Sequence, residues 1–406
     1  MRSLEKSVLF SSMKNLTRVA WLQPIWSHYH IARAKAFQSN NSSVKLFCLE
    51  VSDFKGEVNG ANWRVEKCLD VNRHVLFPGR SYSEVSSWEI AFKVANFIRN
   101  HNIEILCLLG YSRPEIIRLV LLIKIQNYLN ISKSRKVNTI LLSESKKDDF
   151  ERDFWKERFK GVILKFYDSA LVGGRQHKDY LVDLGMKSDS IFLGYDVVEN
   201  SVFEPSAIRK LANPYPSKSF FLSINRFVDK KNLSFLIEAY AAYYSSALKI
   251  NREPWHLILC GDGENKEKIE KQIRSYGLDD FIHLPGFLSQ AKLLPYFAHA
   301  KCFIHASVQE QWGLVVNEAM ASGLPVLVSN KCGCFEDLVR EGINGFGFDP
   351  KDQAELTGLM LELSSGKISL PELGRASLKH IQKYSPDYFA AGLYKAIKHA
   401  FCKSGK

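Results

Sequence analysis

The feature that most constrains this chain is an alternation of short apolar runs with longer amphipathic stretches, present twice over. In the first half the runs are RVAWL (18–22), KLFCLEV (45–51), IEILCLLG (103–110), NTILLS (138–143), SALVGG (169–174) and SIFLG (190–194). Near-continuous apolar segments of this length, separated by helical patterns, indicate parallel strands buried on both faces. EVSSWEIAFKVANFIRNH (84–101) is the clearest intervening helix, with Trp88, Phe92, Ala95 and Ile98 near helical spacing.

The pattern lapses over 201–217, SVFEPSAIRKLANPYPS, where Pro205, Pro214 and Pro216 punctuate a polar stretch. It then resumes with strands at 219–225, 256–261, 281–286, 302–307 and 325–329 and helices at 232–244, 264–277, 289–300 and 314–323. The expected fold is therefore α/β, two Rossmann-like doubly wound domains. The boundaries expected are 1–200 for the first domain, 201–217 for a linker and 218–380 for the second domain. A terminal helix at 381–406 is expected to pack back on the first domain.

Composition narrows the class. The 406 residues are 46% hydrophobic and 24% charged, which excludes collagen-like and low-complexity chains. The most apolar run, IIRLVLLIKI (116–125), carries Arg118 and Lys124 and is too short to span a bilayer. The first eighteen residues hold Glu5, Lys6 and Lys14 and no secretory apolar run, and Cys48, Cys107, Cys260 and Cys302 sit inside strand-like runs. Both features suggest a cytoplasmic protein. Cys332-Gly333-Cys334 lacks a second cysteine or histidine pair nearby, so no metal site is expected. The net charge of +12 suits a phosphorylated ligand, an anionic membrane surface or nucleic acid, and most of the excess falls in the first half.

In open parallel sheets, ligands sit beyond the carboxyl ends of the strands, and three such ends carry chemistry here. After 219–225 come Arg226 and Lys231, two cations that can converge on one anion. After 256–261 come Gly261 and Gly263, which permit close backbone approach to a ligand or simply form a tight turn. After 302–307 comes EQWGLVVNE, in which Glu310 and Glu318 have seven residues between them. Gly313 suggests a loop that turns helical near Leu314, leaving Glu310 on the loop and Glu318 in the helix. A helix amino terminus suits a diphosphate, and carboxylates suit hydroxyls, so the set describes a nucleotide sugar.

The run ASVQEQWGLVVNEAMASGLPVLVSNKCGCFEDLVRE (306–341), preceded in order by INR, KKN, GDG and LPGF, resembles the donor signature of retaining glycosyltransferases of family 4. The likeness spans residues 219–348. It implies a GT-B architecture, two domains facing across a cleft, with no metal required. It further implies that Arg226 and Lys231 bind the donor diphosphate, Glu318 the ribose, and Glu310 the transferred sugar. The backbone at Gly313, Leu314 and Val315 would meet phosphate, with Gly261 and Gly263 alongside, and Leu284, Pro285, Gly286 and Phe287 would flank the base. A front-face reaction, in which the leaving phosphate helps to deprotonate the acceptor, is implied rather than a covalent nucleophile.

The first domain departs from the family pattern. Where a Gly-Gly pair is common, this chain has Gln23 to His30, with Arg33 on the following helix; where His or His-Asp is common, it has Ser143, Glu144, Ser145 and Lys146. His28, His30, Arg33, Glu144 and Ser145 are the candidate substrate contacts there. Gly173-Gly174-Arg175 and Tyr195-Asp196 would either line the cleft or pack as turn and linker.

The expected function is transfer of a hexosyl unit from a UDP-sugar, or GDP-mannose, to a hydroxyl acceptor such as a glycan, a lipid-linked sugar or a small metabolite. Peripheral contact with an anionic membrane is expected, and no nucleic acid. The rivals are a basic nucleic-acid or membrane-surface binding protein, and a catalytically silent sugar-nucleotide sensor on the same fold.

Overall fold

The computed structural model describes residues 16–53, 71–129, 136–149 and 152–404. The charged start, with Glu5, Lys6 and Lys14, lies outside the described residues. The chain divides into two units, one of residues 1–147, 151–197 and 386–406, the other of residues 148–150 and 198–385.

The first unit runs β1 (Thr17–Gln23), α1 (His28–Asn40), β2 (Val44–Ser52), β3 (Arg73–Phe77), α2 (Ser87–His101), β4 (Ile105–Leu109) and α3 (Pro114–Leu129). It continues with β5 (Asn138–Ser143), α4 (Phe154–Leu164), β6 (Ser169–Val172), α5 (Arg175–Asp183) and β7 (Ile191–Leu193). The strands form one sheet in the order β3-β2-β1-β4-β5-β6-β7, all parallel. Its strands are apolar on both sides because helices cover both faces, and Ala20, Leu49, Leu106, Leu108 and Leu141 are buried. The buried stripe of α2 is Ile90, Ala91, Val94, Ala95 and Ile98, while Trp88 and Phe92 stand exposed. The sequence put those two aromatics inward. The i, i+4, i+8 row of branched residues beside them packs on the sheet instead.

The second unit opens with α6 (Asn200–Phe203) and α7 (Pro205–Ile208), followed by β8 (Phe220–Ile224), α8 (Leu233–Lys249), β9 (His256–Cys260), α9 (Lys266–Ser275) and β10 (Ile282–Gly286). Then come α10 (Gln290–His299), β11 (Cys302–His305), α11 (Leu314–Ala321), β12 (Val326–Ser329), α12 (Phe335–Leu338), β13 (Gly345–Phe348), α13 (Gln353–Ser364) and α14 (Leu370–Ile381). The sheet order is β10-β9-β8-β11-β12-β13, again parallel. Strand order reverses between β8 and β11, the switch point at which such sheets open a crevice.

The stretch 201–217 is not simply a linker. Phe203 and Ile208 are buried, Phe203 meets Phe297 edge-on, and Asn200 donates to the Ile381 carbonyl at 3.0 Å. Pro205 begins α7, where its missing N–H costs nothing, so the prolines mark helix starts as well as turns. The last helix, α15 (Pro386–Ser404), belongs to the first unit. There Phe389 stacks on Trp21 at 5.1 Å and the Ser169 hydroxyl donates to Ala396 O at 2.9 Å. Two strands lacked a sequence signal. β3 (RHVLF) pairs its Arg73 with Glu50, and β13 (GFGF) reads as a turn.

Candidate functional site

The two strands flanking the switch point of the second unit, β8 and β11, deliver that unit's charged candidate residues. After β8 the chain passes through Arg226 and a tight 3-10 turn, Asp229–Lys231, before Asn232 enters the left-handed region and α8 begins. Val308 N donates to Lys230 O at 3.0 Å, tying that turn to the loop after β11. Lys231 therefore ends a turn rather than opening the helix, and its ammonium reaches the Glu310 carboxylate.

Glu310 is fixed from a second direction by His305, the last residue of β11, whose Nε2 lies 3.1 Å from Oε2 of Glu310. Ser307 Oγ is 3.3 Å from the same nitrogen. Burial pulls the His305 imidazole below its ordinary value, so it stands neutral. The ionised Glu310 carboxylate can only accept, which assigns the proton to Nε2, and Nδ1 is buried with no hydrogen-bond partner among the described residues. Burial alone would raise the Glu310 carboxyl, but Lys231 and His305 outweigh it and hold it below the usual carboxylate range.

The loop carrying Glu310 is pinned to the loop after β12. Gly333 N donates to Glu310 O at 3.0 Å and Cys334 N to Trp312 O at 3.1 Å, while the buried Trp312 indole donates to Asn317 Oδ1 at 2.9 Å. Gly313 has φ 104°, a left-handed bend that lets the chain enter α11 at Leu314. The Leu314 and Val315 amides make no hydrogen bond among the described residues, and Val316 N already donates to Gly313 O at 2.8 Å. Two amides at a positive helix end thus lie four to five residues along from Glu310. Glu318 is buried on the next turn of α11. Cys334 packs by Gly313, and burial, with Cys332 and Glu310 adjacent, pushes its thiol up, so it stays protonated.

Arg226 is half-buried with no ion pair among the described residues, which leaves its guanidinium available to an anion. The glycines after β9 have a local explanation. A Cβ on Gly261 would lie 1.7 Å from Asn225 O, and one on Gly263 would lie 2.6 Å from Phe227 O. The backbone they admit so closely is the chain's own Arg226 loop, which they hold in place. Pro285 and Gly286 end β10 at the sheet edge, Gly286 O accepting from Gly261 N at 2.9 Å, and Phe287 is exposed.

In the first unit the candidates fall into the helix start and one buried polar cluster. His28 and His30 occupy the first turn of α1 rather than a loop, and His30 Nδ1 accepts the Ser27 N–H at 3.1 Å as a helix cap. Burial and Arg33 lower His28 to about 4 and His30 to about 3. Arg33 is wholly buried, donates twice to Val197 O at 3.0 and 3.1 Å, and lies over the Tyr195 ring. Tyr195 in turn accepts from Gln23 at 3.2 Å. Asp196 beside it is raised well above its ordinary value by burial and by the neighbouring Glu144. Ser145 N donates to Ser143 Oγ at 3.2 Å; Gly174 precedes α5, and Arg175 opens it exposed. Arg33, Tyr195 and Asp196 are thus buried together at the strand ends.

Sequence reasoning missed His305, which it read as part of a strand. Its signal was a histidine closing an otherwise apolar run, CFIHAS.

Two Rossmann-like parallel sheets, each with its own switch point, define an α/β protein of the GT-B fold. Sucrose-phosphate synthase from Thermosynechococcus elongatus superposes with a TM-score of 0.73 at 16% identity, covering 95% of this chain and 100% of that one. Anabaena Alr3699/HepE, solved with UDP and glucose, gives 0.67 at 15% identity over 94% of this chain and 99% of that one. Residues 206–380 match the family described as glycosyl transferases group 1. The alpha-monoglucosyldiacylglycerol synthase of Acholeplasma laidlawii is 27% identical over 167 residues, 41% of this chain and 40% of that protein. The chain spans about half the length of the curated relatives it matches, between 40% and 53% for the first three.

Proposed function

We propose that the protein is a retaining glycosyltransferase that moves a hexosyl unit from a nucleoside diphosphate sugar to a hydroxyl acceptor. The observation that carries this reading is the convergence of Lys231, Glu310 and His305 beside the α11 amino terminus, at the switch point of the second sheet. A diphosphate leaves easily only when its developing charge is stabilised, and Arg226, Lys231 and the Leu314 and Val315 amides are the groups for that work. Glu318 is assigned to the ribose and Glu310 to the transferred sugar. No divalent metal is assigned a part, because these cations already supply positive charge. The donor is proposed to be a UDP-sugar in preference to GDP-mannose, and the UDP and glucose held by the Anabaena structure support that order. The acceptor is proposed to be presented at an anionic membrane surface, in keeping with the net charge of +12.

A thermal-shift panel of uridine, guanosine and adenosine diphosphate sugars, run with and without chelator, tests the reading, because a ligand selective for the folded state raises its stability. Transfer or hydrolysis of the labelled donor that gives the largest shift follows. Stabilisation lost with chelator would refute the metal-free assignment, and binding without any turnover would reduce the protein to a sensor.

A further inference from the structure

Helix α4 keeps only part of its charge on the inner side, where Glu157 accepts from Lys160 at 2.6 Å and from the Tyr180 hydroxyl of α5 at 2.7 Å, and Arg152, just before the helix, lies 4.5 Å over the Tyr180 ring. Its large apolar residues face solvent. Trp155 is 74% exposed, Phe154 67%, Phe159 57% and Val162 50%, and no other described helix exposes as many.

Trp155, Phe159 and Val162 follow i, i+4, i+7 spacing, so they form one stripe along the outer face. Only Ile163 and Leu164 of this helix are buried. Exposing such a stripe costs hydrophobic free energy that a stable monomer ordinarily avoids, so the face is built to be covered.

We propose that this face docks the protein on an anionic phospholipid surface. The outward charges beside the stripe are Lys156, Arg158 and Lys165 against Asp153, which caps the helix by accepting from Lys156 N. That is a cationic rim around an aromatic stripe, complementary to acidic headgroups above an acyl layer. A helix lying on its own domain, with Trp and Phe on its outer side, inserts only as deep as the headgroup boundary, about 5–10 Å. Trp155 suits that layer, since its ring is apolar and its N–H still reaches water or headgroups. The stripe is convex and carried on a helix, so it offers no groove to a peptide. The proposal rests on the reading that the acceptor is presented at a membrane, and it names the surface that makes the contact.

The test uses the full chain and vesicles of phosphatidylcholine alone or mixed with phosphatidylglycerol. Two double variants are compared with wild type: Trp155→Ser with Phe159→Ser, and Lys156→Glu with Arg158→Glu. All four side chains are exposed, so thermal midpoints and nucleotide-sugar binding without vesicles should match wild type. The expected result is cosedimentation of wild type with the mixed vesicles, relieved by salt. Losing the aromatic pair should weaken it at least about tenfold, and each cation lost about fivefold. Wild-type binding by either variant, or no binding by wild type, overturns the proposal. So does wild-type self-association without vesicles that the aromatic variant abolishes, because a second copy would then cover the face. The transferase reading fails separately, by absence of any nucleotide-dependent shift.

Discussion

His305 Nε2 and the Lys231 ammonium meet on the same oxygen of Glu310, the histidine at 3.1 Å. Three chain segments, the turn after β8, the end of β11 and the loop before α11, therefore aim one carboxylate. A hydrogen bond to a charged group contributes about 1.5–3 kcal/mol, so His305→Ala should lower kcat about tenfold to a hundredfold with donor KM little changed. His305→Gln, which keeps a donor, should recover much of the loss. Equal kcat in wild type and His305→Ala would mean that Lys231 alone positions the carboxylate.

Lys231→Ala and Arg226→Ala should each cost about 2–4 kcal/mol of transition-state stabilisation, the range for removing a preorganised charge partner. Their pH profiles should differ. Without Lys231 the Glu310 carboxyl loses its main restraint and rises, moving the acid limb of kcat/KM to higher pH. Arg226→Ala should leave that limb in place, and a common shift in both would undo the distinction.

Lys231 is paired with Glu310, so under the proposed donor assignment a diphosphate competes with that carboxylate for the ammonium. Glu310→Gln should therefore retain or tighten binding of UDP while depressing single-turnover transfer. Glu318→Gln should weaken nucleotide and nucleotide sugar alike. Titration calorimetry on both variants checks this, and a matching loss of UDP affinity in the two would refute the division of roles.

Acid should destabilise the first unit through His30 and His28. Their folded values are lowered from 6.5 to about 3 and about 4, so the unfolded chain takes up protons first as pH falls. The stability they contribute is complete above pH 6.5 and is lost as pH drops from there toward their folded values. Gln at the His30 position still accepts the Ser27 N–H but does not titrate. His30→Gln should therefore flatten the acid slope by on the order of a few kcal/mol, read from denaturant midpoints across that pH range. An unchanged slope would place the acid sensitivity elsewhere.

Two glycines should respond very differently to a methyl group. At Gly313 an added Cβ would meet only ordinary contacts of 3.5–3.6 Å, so Gly313→Ala should cost just the left-handed backbone penalty, about 1–2 kcal/mol. At Gly261 the Cβ would stand 1.7 Å from Asn225 O, forcing the Arg226 loop away. Gly261→Ala should be the more destabilising by thermal melt and should also impair nucleotide binding. Equal melting points would show that the loop yields freely.

Local chemistry by itself determined much of this protein. Short apolar runs alternating with amphipathic stretches point to parallel strands between helices, which made the two α/β units legible, and Gly313 marked the start of α11 because a left-handed bend favours glycine. The run EQWGLVVNE stated its carboxylates and their spacing openly. Tertiary structure decided what those groups touch. Lys231 and Glu310 are seventy-nine residues apart, and only the adjacency of β8 and β11 makes them partners. His305 acquired its role the same way, since a histidine at a strand end has no meaning until something faces it. Arg33 shows the reverse, a cation free on paper that folding spends inside the first unit on the Val197 carbonyl. Helix α4 shows it again, because period alone cannot say which stripe of a helix meets the sheet and which meets the solvent.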